Sequence, residues 1–371
     1  MSRFRFAIVG CGVIHGTHVE AIKALPDDAE LVAVCDEVPE LAQKVAEKNE
    51  VAAFTDLEEM CKNAEFDVLC VCTPSGLHAK HGVIGAQHGK HIICEKPIDV
   101  SLAAADALIE ACDKNGVKLV VISQHRYSRG MRLLKSYLDE GRLGTLVYAE
   151  SVTKWFRSQE YYDSGGWRGT WELDGGGALM NQGVHYVDQL RWIMGPVKTI
   201  SANMATRAHE RIEVEDIVSA TIEFQSGAVG TLLASTAMYP GYRQALEVYG
   251  TGGTVIVENS KVRHAQFRYG DEEVRGINVK AKSPEIKDFE VQQTEETKPE
   301  GTEDAASQGA SDPASIGLGG HVAQFKDLID AVRENRETFV NGPEARNALE
   351  VIIGVYQSAR TGKPVHFPVA S

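Results

Sequence analysis

Asn181, His185 and Asp188 recur at helical spacing in the stretch DGGGALMNQGVHYVDQLRW, residues 174–192, directly after three glycines. Residues three and four apart share one face of an α-helix, so these side chains and Trp192 form a polar stripe. Leu179, Gly183, Val184, Val187 and Leu190 form an apolar stripe beside it. An imidazole so placed suits proton transfer near neutral pH, and an amide next to it both donates and accepts hydrogen bonds. The competing reading is an amphipathic helix whose polar side faces water. A second chemical candidate is Lys96, set between Glu95 and Pro97 after the apolar run KHIIC. A lysine partly withdrawn from water can steady a hydroxyl as it loses its proton, although most lysines are simply solvated.

The elements that must position these groups follow from periodicity. FRFAIVG, ELVAVCD, DVLCVC, KHIICEK and KLVVIS alternate with helix-length segments, the pattern of a parallel sheet wound on both faces by helices. The first run leads into GCGVIHGTHVEAI, where Gly10 and Gly12 fit the first two positions of a dinucleotide-binding G-x-G-x-x-G turn. His15 stands at the third position, a departure from the pattern. The next run ends at Asp36, where an acid can accept from ribose hydroxyls or cap the following helix VPELAQKVAEKN. Glu37 follows it instead of a cation, so a 2′-phosphate would meet two carboxylates, and NAD is expected over NADP. CTPSGLHAKHG and CEKPIDVSL sit at the strand ends where ligands bind in such sheets.

At 371 residues, with 43% hydrophobic content, two domains are expected. The 52 acidic residues outnumber the 38 basic ones, giving a net charge of -14, which argues against nucleic acid and anionic membrane as partners. No secretory pattern opens the chain and no apolar run is long enough to span a bilayer, so a cytoplasmic protein is expected. The 7 cysteines all lie between Cys11 and Cys112, mostly in apolar runs, and read as buried hydrophobes; the C-x-C pair Cys70 and Cys72 lacks zinc-site spacing, so no metal is expected.

Beyond residue 127 come a helix, RGMRLLKSYLDEG, and a strand near LVYAESVTKWF. The segment RSQEYYDSGGWRGTWELDGGG then runs into the polar-striped helix. Its aromatic and arginine residues suit a sugar's apolar face and hydroxyl rim, and an arginine fork would anchor a carboxylate or phosphate. Alternating runs separated by QSG and GTGG predict antiparallel strands. The acidic stretch 293–315 reads as a mobile surface insertion, and two helices close the chain. His321 opens the first of them.

These motifs resemble those of the Gfo/Idh/MocA oxidoreductases, the family of glucose-fructose oxidoreductase, inositol 2-dehydrogenase and the rhizopine-catabolism enzymes. The family's Glu-Lys-Pro matches Glu95, Lys96 and Pro97, and its Thr-Pro-x-x-x-His matches Thr73, Pro74 and His78. QHRYSRGMRLLKSYLDEGRLG and SARTGKPVHFP also resemble family segments, so the similarity covers the whole chain. The resemblance implies an NAD-binding α/β Rossmann domain with a doubly wound, mainly parallel sheet over residues 1–125. It also implies an α+β domain with an open, mainly antiparallel sheet over residues 126–371, for substrate binding and assembly as a homodimer or homotetramer.

It places the cofactor against Gly10, Gly12, Val13, Ile14, Asp36, Thr73, Pro74, His78, Glu95 and Lys96. Substrate falls to Lys154, Arg157, Tyr161, Trp167, Arg168 and His321. The stretch 174–192 becomes the active-site helix, usually Asp-x-Gly-x-His, in which His185 keeps its place and Asn181 replaces the aspartate, as in a subset resembling sugar 3-dehydrogenases, including enzymes of nucleotide-linked sugar acids. The expected reaction is hydride transfer between a secondary ring hydroxyl of a sugar, sugar derivative or inositol and NAD. His185 would take the proton, Lys96 would stabilise alkoxide character and Asn181 would orient, with the reverse assignment of Lys96 and His185 open. Asp188 either orients His185 or pairs with Arg191 or another cation. A redox-neutral NAD-dependent glycosidase and a non-catalytic NAD-binding regulator are the alternatives; retention of both Lys96 and His185 weighs against the latter.

Overall fold

The computed structural model describes residues 3–268 and 317–369; the acidic stretch 293–315 lies outside them. A six-stranded, wholly parallel sheet comprises β1 (Phe4–Val9), β2 (Ala29–Cys35), β3 (Ala52–Phe54), β4 (Val68–Val71), β5 (His91–Cys94) and β6 (Leu119–Val121). Their order is β3-β2-β1-β4-β5-β6, so the strand order reverses between β1 and β4 and opens a crevice at their carboxyl ends. The near-continuous apolar runs of β1, β4 and β5 follow from burial on both faces. Helices α1 (His15–Lys23), α2 (Pro39–Asn49), α3 (Leu57–Asn63), α4 (His78–Gln87) and α5 (Leu102–Asn115) form the crossovers. Ser101 caps α5 by accepting from Ala104 N at 3.2 Å, and Gly116 ends it in the left-handed region.

After α6 (Arg129–Asp139) the chain builds an eight-stranded sheet from β7 (Leu146–Lys154), β8 (Val197–Ala205), β9 (Ile217–Phe224), β10 (Val229–Ser235), β11 (Arg243–Gly250), β12 (Gly253–Glu258), β13 (Lys261–Phe267) and β14 (Val365–His366). The order is β13-β12-β11-β7-β10-β9-β8-β14, antiparallel except between β7 and β10. The short α7 (Gln159–Asp163) leads towards α8 (Val184–Met194), which packs on β7 and β11; α10 (Gly342–Thr361) packs on α8, β8 and α5. Helix α9 (Leu318–Glu334) turns back to the first sheet instead. Its Phe325, Leu328 and Ile329 join Phe6, Ile8, Val68 and Ile93 in one core, with Phe325 stacked on Phe6 at 5.6 Å.

All seven cysteines are buried and unpaired. Among the described residues no helix is long and apolar enough to cross a membrane.

Candidate active site

The glycine turn between β1 and α1 forms a cradle for a dinucleotide. Gly10 has φ +93° and lies so close to the β4 end that a Cβ would stand 2.6 Å from the Cys72 carbonyl carbon. Gly12 faces open space, and the N-terminus of α1 follows. At the third position His15 directs Nδ1 to the Gly12 carbonyl, closing the turn with a side chain where glycine would close it by packing. Asp36 Oδ2 accepts from Cys11 N at 2.7 Å and Oδ1 accepts from Val38 N at 2.9 Å. It therefore braces both the glycine turn and the start of α2. A carboxylate has about four acceptor sites, so capacity remains for ribose hydroxyls.

Gly10, Gly12, Val13, Ile14, Asp36, Thr73, Pro74, His78, Glu95 and Lys96 all line one cleft of ≈ 2060 Å³. His78 serves it from within. It is buried, with Nδ1 2.7 Å from the Pro97 carbonyl and Nε2 2.9 Å from the Thr73 carbonyl, and so ties the two strand-end loops together.

At the inner end of the cleft the end of β5 meets the helix that follows the three glycines. That helix opens with a π-helical turn, Ala178–Gly183, before α8 begins. Glu215 caps the turn through Gly177 N at 2.9 Å and Leu179 N at 2.8 Å. Lys96 Nζ donates to the Asn181 backbone carbonyl at 2.9 Å and to Asn181 Oδ1 at 3.4 Å. Burial lowers the Lys96 pKa, opposed by the charges of Glu95 and Asp174. His185 lies beside it with its ring 4.6 Å from that of His125. Burial, together with His125 and Lys96, holds the His185 pKa well below the usual histidine value, and burial takes His125 down to about 4. Both rings are neutral at physiological pH.

Glu95 Oε1 accepts from His18 Nε2 at 2.9 Å and lies 3.4 Å from His321 Nε2, while Oε2 accepts from Lys96 N at 3.1 Å. Burial alone would push Glu95 up, but the two histidines outweigh it and keep the carboxylate well below its ordinary range. His321, fully buried at the start of α9, thus supports the base of the cleft.

Opposite Lys96, Tyr161 sits between two guanidiniums, with Arg168 Cζ 4.3 Å and Arg157 Cζ 5.4 Å from its ring centre. Arg168 Nη1 donates to the Tyr161 hydroxyl at 2.6 Å. Gln182 links this group to the helix, donating to Tyr161 at 3.1 Å and accepting from Arg157 Nη2 at 3.2 Å. Trp155 and Trp167 complete the wall.

Lys154 does not line the cleft. Alternation along the extended chain turns Trp155 and Arg157 inward and leaves Lys154 and Phe156 on the other side, where Phe156 packs on Tyr239. Asp188 does not orient His185. Its oxygens receive Arg126 Nε at 2.8 Å and Arg126 Nη2 at 2.6 Å, together with Ser123 Oγ, deep in the interior. The cation is Arg126, not Arg191. Within the polar stripe His185 and Asp188 are buried, while Asn181 and Trp192 at its two ends are half-buried.

Several contributors were not assigned from the sequence, among them Trp155 in the cleft wall and His18 behind Glu95. Asp174, Gln182 and Glu215 act on the π-turn, whose residue count breaks the spacing used to read the helix. His125 comes from a single 3-10 turn, Gln124–Tyr127, after β6. The adjacent "NQ" pair was the one visible sign of Gln182.

Comparison with known proteins gives a consistent picture. Residues 4–123 match the model of an oxidoreductase family with an NAD-binding Rossmann fold, and residues 131–256 match the GFO/IDH/MocA C-terminal domain. The chain is 28% identical to myo-inositol 2-dehydrogenase of Thermotoga maritima over 69% of this chain and 75% of that one. It is 28% identical to D-glucoside 3-dehydrogenase of Escherichia coli over 64% and 71%. The WlbA dehydrogenase of Bordetella pertussis, solved with NADH and UDP-GlcNAcA, superposes with a TM-score of 0.83 at 31% identity, covering 100% of both chains.

Proposed function

Because the chain belongs to the Gfo/Idh/MocA family of NAD-binding oxidoreductases, we propose that it oxidises a secondary ring hydroxyl of an acidic sugar derivative, or reduces the matching ketone. One observation above all supports this reading: Lys96, Asn181 and His185 converge at the mouth of β5, in the same cleft as the glycine turn and facing two arginines. The cradle fits NAD, since Gly12 leaves open space at a helix N-terminus and Asp36 retains acceptor capacity. Held there by the glycine turn and Asp36, NAD would supply the hydride acceptor or donor.

The protein's own groups do the rest. Lys96 is the better proton acceptor, because burial draws its pKa towards the working pH. His185 stays neutral and too weakly basic to hold the proton, so it orients the hydroxyl through a ring nitrogen. This is the reverse assignment that the sequence left open. Arg157 and Arg168 give a carboxylate or phosphate a two-sided anchor, with Trp155 and Trp167 beside them. The Bordetella relative holds a nucleotide-linked sugar acid, which fits such an anchor.

The test offers NAD and a panel of sugars, sugar acids, nucleotide-linked sugar acids and inositols to the protein and to Lys96→Met, with NADH formation as readout. The expected result is NADH formation strongest with an acidic sugar, reduced about 10²–10⁴-fold in the variant. Release of aglycone from a glycoside without NADH would overturn the reading.

A further inference from the structure

The family pattern places an aspartate where this chain has Asn181, yet a carboxylate lies directly behind that position. Asp174 is 1% exposed. Its Oδ1 accepts from Asn181 Nδ2 at 2.7 Å, and its Oδ2 accepts from Gly169 N at 2.9 Å. An ionised carboxylate only accepts, so it draws the amide NH2 of Asn181 towards itself. The opposite end of the amide, Oδ1, therefore faces Lys96 Nζ at 3.4 Å and Gln182 Nε2 at 3.2 Å. An asparagine at 174 could not serve both donors: one of its terminal atoms would be an NH2 set against either the Gly169 N–H or the Asn181 NH2.

We propose that Asp174 is a positioning residue of the reacting end, which aims the Asn181 amide oxygen at Lys96 and supplies, one side chain behind the site, the negative charge absent at position 181. The inference rests on the assignment of Lys96 to proton transfer. It gives the N-for-D replacement a physical meaning: the charge is displaced and buried, and a neutral amide is left to touch the reacting groups.

The surroundings agree. Burial raises the Asp174 pKa, and the hydrogen bonds from Gly169 and Asn181, with the charges of Arg168 in the loop after α7 and Lys96 on the β5 end, oppose that rise and favour the ionised form. Tyr161 and Tyr162 of α7 and Tyr356 of α10 also feel its charge. Glu215, the other carboxylate behind the π-turn, is engaged by Gly177, Leu179 and Tyr356. Glu95 and Asp174 are the two anions that oppose the burial of Lys96. Removing the charge of one should make Lys96 lose its proton at lower pH.

The experiment reads Lys96 directly. Pulse labelling of the full-length protein with acetic anhydride across a pH series, followed by mass spectrometry, gives the midpoint at which Lys96 becomes reactive, with and without NADH. Asp174→Asn should lower that midpoint by roughly one pH unit. The charge-swapped Asp174→Asn/Asn181→Asp should return it to the wild-type value or above, with the NADH dissociation constant within about twofold of wild type. An unchanged midpoint in Asp174→Asn, or one the swap does not restore, would overturn the proposal. So would an Asp174→Asn protein that fails to fold and is not repaired by the swap, since Asp174 would then be structural; if only the swap folds, its midpoint decides. For any substrate that turns over, the acid limb of kcat/KM should follow the same shift. If the Lys96 midpoint moves as stated but no sugar or polyol yields NADH, the oxidation reading fails and the positioning role stands.

Discussion

Arg126→Met should unfold the protein more easily while leaving the chemistry of the surviving folded fraction intact. Arg126 is 1% exposed and Asp188 5% exposed, and their two-point pairing at 2.8 and 2.6 Å joins the end of the first sheet to α8. Arg126 Nη1 reaches Glu344 at 3.0 Å on α10, and the guanidinium lies 5.1 Å from the Trp192 ring centre. Removing the arginine leaves the Asp188 carboxylate buried with Ser123 Oγ as its remaining side-chain partner in this group. Breaking such a pair costs about 3–5 kcal/mol, a large part of the roughly 5–15 kcal/mol that holds a native protein together. At 2–4 °C per kcal/mol, the melting temperature should fall by roughly 10 °C. Circular dichroism during heating and urea titration measures the loss. Arg126→Met/Asp188→Leu should recover most of it, because an apolar pair needs no compensating charge. A loss below about 1 kcal/mol, or no recovery in the double variant, would refute a buried pair as the lock between the two layers. An altered pH–rate profile in Asp188→Asn at unchanged stability would return Asp188 to His185.

Gly10→Ala forces an L-residue to φ +93° and drives Cβ to 2.6 Å from backbone at Cys72. The NADH dissociation constant, measured by fluorescence, should rise at least about tenfold, equivalent to about 1.4 kcal/mol; tight binding would show that the turn can shift. Glu215 carries a proton up to about pH 7, because burial raises its pKa. Since its folded pKa exceeds the unfolded one, its contribution to stability is complete below about pH 4.5 and is lost as pH rises through about 7. The melting temperature of Glu215→Gln should therefore improve relative to wild type between pH 5 and 8; a difference independent of pH would contradict the assignment.

The first sheet could be read almost strand by strand because β1, β2, β4, β5 and β6 are apolar runs punctuated by glycine and by helices of ordinary length. Strand β3 escaped, since Ala52–Phe54 is three residues at a sheet edge and too short to show a period. Likewise Val365–His366 pairs with β8 in a tail that shows no alternation. The path of α9 was not readable from pattern either. Its apolar face announces burial but not against which sheet, and only the packing of Phe325 on Phe6 decides it. Lys96, Asn181 and His185, which the structure brings together in one cleft, stood out in the sequence because residue type, strand end and glycine-rich flank coincide. The role of Asp188 stayed open between His185 and a cation for a complementary reason: helical spacing places it near His185, while its partner Arg126 arrives from a segment 62 residues away.

The π-turn explains why helical spacing drew attention to residues that share the cleft without giving their geometry. An added residue in the turn widens it and changes which side chains point together. Asn181 can then meet Lys96 in front and Asp174 behind, while Gln182 reaches the Tyr161 group. Glycines 175–177 make this possible: a Cβ at Gly177 would lie 1.8 Å from the Glu215 carbonyl, and one at Gly176 would lie 2.1 Å from the Tyr356 hydroxyl. The three glycines that precede the polar stripe are therefore the sequence trace of a close approach between the helix start, the β9 edge and α10. That approach lets one short segment present an amide to Lys96 while holding the Asp174 carboxylate behind it out of contact with solvent.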